Sequence, residues 1–146
     1  MKRNLSKPSP AGAKKAVKGV SAVDYVLLMT PRYSERKRRP VTYLALRTVK
    51  QFRSFRYDIV VEHRLDGNTL YLDIRGLRPP ELTLPGVGPA IFETEYDNLA
   101  GNYELVITKL HKEVNRFHVR IAPEKVLVEK SPRARFIDLV TRMEDW

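Results

Sequence analysis

Between Tyr57 and Ile74 apolar and polar side chains take turns across one interruption, a pattern that few folds accommodate. Tyr57, Ile59, Val61 and Leu65 alternate with Asp58, Glu62 and Arg64, then Asp66-Gly67 breaks the run before Leu70, Leu72 and Ile74 resume it. Successive strand side chains point to opposite faces, so the segment predicts a β-hairpin with one buried face. Asp-Gly tolerates the positive φ that a tight hairpin turn requires. A helix would scatter the same apolar residues around its circumference.

Neighbouring segments carry the same preference. The run VDYVLLM from Val23 to Met29 is β-branched and aromatic and predicts a first strand that stops at Thr30-Pro31, where proline removes a ladder donor. Val41 to Thr48 predicts a second strand, with Leu44 and Leu46 on one face and Tyr43 and Arg47 on the other; a helix through Phe52 is the competing reading. After a Pro/Gly-rich loop (LRPPELTLPGVGP), Ala90 to Tyr96 again alternates, and further strands are expected at 103–110, 114–121 and 126–128. Turn signals at this spacing predict a mainly β protein, an antiparallel sandwich or a small barrel. From Pro132 the period changes: Phe136, Val140 and Met143 recur at three and four residues, which predicts a short amphipathic C-terminal helix anchored by Trp146. The expected organisation is a basic arm over 1–20, a β domain over 21–131 (a basic lead-in at 21–54, then the sandwich core at 55–131) and the helix over 132–146.

The arm, MKRNLSKPSPAGAKKAVKGV, has almost no large apolar side chain and cannot offset the entropy of ordering, so it is expected to have no structure of its own. Its lysines without acids are the one hint of a targeting peptide, but it holds a single Arg and a weak apolar face. No stretch approaches the roughly 18 apolar residues of a membrane span. Cysteine is absent, which excludes disulfides and thiolate metal sites and is compatible with a reducing, cytoplasmic compartment.

Charge is the feature that bears on partners. Residues 1–56 contain fifteen Lys or Arg against two acids, Asp24 and Glu35, whereas 57–146 contain twelve against fifteen, so the net +10 comes entirely from the first third. Three cationic blocks follow one another: Lys2, Arg3, Lys7, Lys14, Lys15 and Lys18 in the arm; Arg32, Arg36, Lys37, Arg38 and Arg39 in a loop; Arg47, Lys50, Arg53 and Arg56 beyond it. Tyr33, Tyr43, Phe52 and Phe55 are interleaved with the last two, placed to stack on bases or to pack in the core. A one-ended charge of this size predicts salt-sensitive, weakly sequence-specific binding to a polyanion: RNA, DNA, an anionic membrane surface or an acidic protein.

Catalytic vehicles are missing from the pattern. No Gly-x-Ser-x-Gly elbow, His-Glu-x-x-His helix or Gly-x-x-x-x-Gly-Lys loop occurs, and Gly86-Val87-Gly88 lies between prolines without opening a helix. His63, His111 and His118 lack the spacing of metal ligands, and Glu93 and Glu95 share what should be a solvated strand face. The expectation is therefore a binding protein rather than an enzyme, without metal or cofactor.

Two resemblances bear on architecture and regulation. In Asp-Asn-Leu-Ala-Gly-Asn-Tyr-Glu-Leu, residues 97–105, Gly101 stands two before Tyr103 and Leu105 two after it, which resembles the tyrosine corner of immunoglobulin-like sandwiches; there the phenol ties the strand to upstream backbone. Leu105 stands where antibody domains carry cysteine, and the resemblance implies architecture alone. Arg36 to Arg39 followed by Asp73-Ile-Arg-Gly is distantly similar to the two motifs of cyclic-di-nucleotide-binding PilZ barrels. Arg75 and Arg78 replace the small Ser and the Gly of that pattern and would obstruct the ligand. The function expected is thus that of a non-enzymatic accessory subunit of a larger assembly, a ribonucleoprotein or other multi-subunit complex, held by its basic third on a polyanionic surface. A peripheral subunit at an anionic membrane and a PilZ-like sensor are the alternatives.

Overall fold

The computed structural model describes residues 23–80 and 85–146. The arm cations Lys2, Arg3, Lys7, Lys14, Lys15 and Lys18 lie outside the described residues. The protein is mainly β, with nine strands among the described residues: β1 (Tyr25–Ser34), β2 (Arg39–Thr48), β3 (Asp58–Asp66), β4 (Thr69–Arg78), β5 (Ile91–Tyr96), β6 (Gly101–Lys109), β7 (Glu113–Ile121), β8 (Val126–Lys130) and β9 (Ile137–Val140). All belong to one sheet of order β8-β7-β6-β4-β3-β5-β2-β1-β9, which curls into a nearly closed, barrel-like form.

The hairpin signal is where the alternation placed it. β3 and β4 pair antiparallel from Asp58↔Arg78 to Asp66↔Thr69, leaving Gly67 and Asn68 as the two turn residues, with Gly67 at φ 60°. Glycine at the first central position is the choice of a tight turn whose twist matches its strands. The buried face is shorter than the alternation implied, because β3 meets β5 through the single pair Asp58↔Ile91 and splays away thereafter. Leu65, expected in the core, is exposed. Across the widening seam His63 hydrogen-bonds the Tyr96 hydroxyl through Nδ1 and packs against the Phe92 ring at 5.5 Å.

The opposite seam is bridged by the side chain of Asn115. Asn115, buried on β7, donates from Nδ2 to the Ala134 carbonyl (3.1 Å) and accepts at Oδ1 from the Phe136 N–H (3.0 Å), so its amide takes the place of a ladder rung between β7 and the approach to β9. Inside, Leu27, Met29, Leu44, Leu46, Leu70, Leu72, Ile74, Leu105, Ile107, Phe117 and Ile137 form the main core. Each such side chain contributes roughly 1.5–3 kcal/mol when fully withdrawn from water. A second cluster, Leu28, Tyr43 and Ala45 with Val140 and Trp146, covers the outer face of β1 and β2. Burial on both faces explains why these two strands read as nearly continuous apolar runs.

Three expectations need correction. The strand at Val23–Met29 does not stop at Pro31: β1 continues to Ser34, with Pro31 opposite Thr42. Because β9 reaches β1 only as far as Leu28, the later half of β1 has a side without a strand partner, where a missing donor costs nothing. The sheet is not wholly antiparallel, since β1/β9, β3/β5 and β4/β6 pair parallel. The C-terminal helix is absent as well; residues 132–146 hold β9 and a single 3-10 turn at Met143–Asp145. Ile137 and Leu139 face the main core while Val140 faces the outer cluster, a period of two that four residues cannot distinguish from a helical one. An unpaired edge of β1 decides it. Trp146 does anchor this segment, donating from Nε1 to the Val26 carbonyl (3.3 Å).

Candidate functional site

Strand register sorts the connections into two ends. The chain reaches β1 at a proximal end that it shares with the β2–β3, β4–β5, β6–β7 and β8–β9 connections; the β1–β2, β3–β4, β5–β6 and β7–β8 turns form the distal end. Ten residues of β1 and β2 separate the ends by about 30 Å at a strand rise of roughly 3.3 Å. The cationic blocks that adjoin in sequence therefore part company, Arg36 to Arg39 going to one end and Lys50 to Arg56 to the other.

At the distal end β5 supplies counter-charges. Arg39 reaches Asp97 at 2.6 Å, Lys37 reaches Asp97 at 3.2 Å and Glu95 at 3.9 Å, and Arg36 lies 3.6 Å from Glu95. The Asp97 carboxyl is held below the usual carboxylate range, first by the hydrogen bond from Arg39 and then by Lys37, against an opposing desolvation effect. Arg32 stacks over the Tyr43 ring at 4.0 Å. Arg38, at φ 58°, makes no ion pair among the described residues. The distal turns 35–38, 67–68, 97–100 and 122–125 hold four cations and three acids. That end is close to neutral.

The proximal end is built differently. Thr48 closes β2 by accepting from the Ala90 N–H (2.9 Å) and donating to the Lys50 carbonyl (2.8 Å), while Phe52 and Gly88 exchange backbone hydrogen bonds of 2.8 and 3.0 Å. Phe55 bridges Pro85, and Phe52 meets Tyr57 edge-on at 5.0 Å. This lacing fixes a connector from which Lys50, Arg53 and Arg56 project into solvent. Arg56 lies along the glycines of the facing loop; a Cβ on Gly86 would come within 3.3 Å of its Cγ. The third block loses one member, because the Arg47 guanidinium donates to the Trp146 main-chain oxygen at 2.9 and 3.1 Å and holds the C-terminal segment.

Sequence reasoning missed residues from the later two-thirds. The connectors 110–112 and 131–136 bring Lys112, Arg133 and Arg135 to the proximal end; together with 49–57 they hold six cations and no acid. The visible signal was that absence of acids in two short turns, diluted by balanced strands around them. Asp24, beside them, is taken by Lys109 at 2.7 Å, an interaction that raises the Lys109 pKa, and Arg135 pairs with Asp138 at 3.3 Å. Lys50, Arg53, Arg56, Lys112, Lys130 and Arg133 make no ion pair among the described residues.

The other candidates have local explanations. His111 lies 3.8 Å from Asp73 and His118 4.0 Å from Glu104, and no cluster of three metal-ligating side chains occurs among the described residues. Arg36 to Arg39 and Asp73 are separated in the sheet by β3 and β5, and Asp73 is engaged by Arg75 at 2.8 Å. Leu105 is fully buried; the Tyr103 side chain rests partly buried against the main core and makes no hydrogen bond among the described residues. No described helix is long and apolar enough to cross a membrane. No protein-family model, curated protein or solved structure matches this chain.

Proposed function

We propose that this chain is a non-enzymatic binding protein, an accessory subunit of a larger assembly in the cytoplasm or at its membrane face, whose proximal end grips a polyanionic surface. The observation that carries this reading is the segregation of charge: the described proximal connectors hold six cations, five of them without an ion pair among the described residues, and no acid, while the distal turns are nearly balanced. The chain enters β1 at this same proximal end. The body serves as a small barrel that fixes the connectors in space; one continuous sheet with parallel pairs supports this over an immunoglobulin-like sandwich.

Long, solvated cations without acidic neighbours gain by replacing the counterions condensed on a polyanion. The test is a titration against a heparin oligosaccharide at two salt concentrations. Binding should weaken by orders of magnitude as salt rises from about 50 to 200 mM, since engaging 6–10 anionic groups costs roughly 10³–10⁵ in affinity over that range. Salt-independent binding, or none at low salt, overturns the reading.

A further inference from the structure

We propose that the polyanionic surface gripped by the proximal end is an anionic lipid bilayer, with aliphatic side chains of the connectors entering the headgroup boundary between the cations. The proposal rests on the polyanion reading and adds to it the kind of surface. Its observation is independent of charge: Val49, Val87 and Leu110, exposed at 42%, 61% and 50%, are the large apolar residues that stand exposed on strand-to-strand connectors among the described residues, and all three are proximal.

The apolar groups are woven into the cationic ones. Val49 precedes Lys50, and Leu110 precedes His111-Lys112. Val49 also joins Val23, Phe52 and Leu77 in lining an open concavity of about 430 Å³ with Lys50 beside it. Leu110 is held outward by an unusual backbone: both Leu110 (φ 52°) and His111 (φ 60°) adopt the left-handed conformation, and the Leu110 N–H is tied to the Ile74 carbonyl at 2.9 Å. Histidine is among the types that adopt this region, but leucine is not, so the turn presents its leucine to water at the expense of both that residue's backbone and its hydration.

Nucleic acid fits this end less well. Base stacking needs free aromatic faces, whereas Phe52 meets Tyr57 edge-on with Lys50 5.2 Å from its ring, and Phe55 is half-buried at its bridge to Pro85. Aliphatic side chains offer bases nothing comparable. A bilayer rewards both kinds of group at once, taking aliphatics into the headgroup–acyl boundary while Lys and Arg reach the phosphates with their long stems.

The experiment is co-sedimentation of the full chain with vesicles of phosphatidylcholine alone and of phosphatidylcholine with 30% phosphatidylserine, alongside titrations of heparin and single-stranded RNA. The protein should bind the anionic vesicles and leave the neutral ones. In Leu110→Asn/Val87→Ser, asparagine accepts the left-handed backbone, so the fold is kept and thermal unfolding verifies it. This variant should lose about tenfold or more in vesicle affinity with heparin affinity unchanged. Unchanged vesicle affinity in that variant overturns the proposal. Binding to heparin or RNA but not to anionic vesicles overturns it while leaving the polyanion reading intact; binding to none of them overturns both.

Discussion

The two ends of this barrel-like sheet are made from the same strands, and each receives a cationic block from the first third of the chain, yet they differ in what meets those cations. At the distal end β5 delivers Glu95 and Asp97 against Arg36, Lys37 and Arg39. At the proximal end the three connectors 49–57, 110–112 and 131–136 contain no acid, and later residues add cations to those already there. A run of charge in sequence is thus no map of surface potential; the potential depends on which strand ends the topology gathers. The difference also separates two settings of the same residue types, ion pairs that fix a turn and cations that meet no acid among the described residues.

The comparison breaks most readily under charge removal. Lys50→Gln/Arg53→Gln/Arg56→Gln should weaken binding to anionic vesicles by roughly 10²-fold, because each cation near the headgroups is worth about 1 kcal/mol. The matching distal variant, Arg36→Gln/Lys37→Gln/Arg38→Gln, should change it by no more than about threefold, since most of its charge is already met by acids. Equal losses from the two, measured by co-sedimentation, would abolish the distinction between the ends.

The next effect is on stability. Asn115→Ala removes the amide that joins β7 to residues 134–136 and leaves the buried Phe136 N–H unpaired, so urea unfolding should show a loss of about 2 kcal/mol. It should also loosen the segment that displays Arg133, raising amide exchange there before the β1–β2 turn is affected. Protection lost equally at both ends would show that this closure is not local to the proximal side.

Leu110→Gly tests whether the proximal turn stores strain. Relief of a left-handed leucine should raise stability by about 1 kcal/mol in thermal or urea unfolding, even as vesicle affinity falls. A stability loss would mean that the Leu110 side chain packs usefully and is not held out for a partner.

The smallest effects lie at the distal end. Asp97→Asn frees Lys37 and Arg39 and should raise heparin affinity by about threefold, bringing that end closer to the proximal one. The carboxyl pKa is lowered in the folded protein, so its ion pairs contribute fully above the ordinary carboxylate pKa and are lost as pH falls through the lowered value. Side-chain NMR titration should place Asp97 below the usual range, and Arg39→Gln should return it upward, because the Arg39 hydrogen bond is the largest cause. An Asp97 titration unmoved by that change would remove the counter-charge account of the distal turn.

Much of the sheet was legible in advance. The β3–β4 hairpin, the faces of β2 and the positions of β5 to β8 follow from alternation and turn residues, because side-chain period is a local property of the backbone. The splaying of β3 was not legible: Leu65 sits in perfect alternation yet has no neighbouring β5 strand to bury it. Half of the candidate site was equally visible. Lys50, Arg53 and Arg56 stand out in sequence, whereas Lys112 and Arg133 are unremarkable until register places their turns beside that block.

The sequence by itself determined that the chain makes strands, where most of them lie, which faces are apolar and that cations crowd its first third. Tertiary structure alone decided that residues 137–140 pair with β1 instead of coiling, that three strand pairs run parallel, and which cations are met by acids. The reason is range. Periodicity is set by neighbouring residues, but Arg39 finds Asp97 across 58 residues and Arg47 finds Trp146 across 99, and encounters at that separation exist only once the sheet has closed.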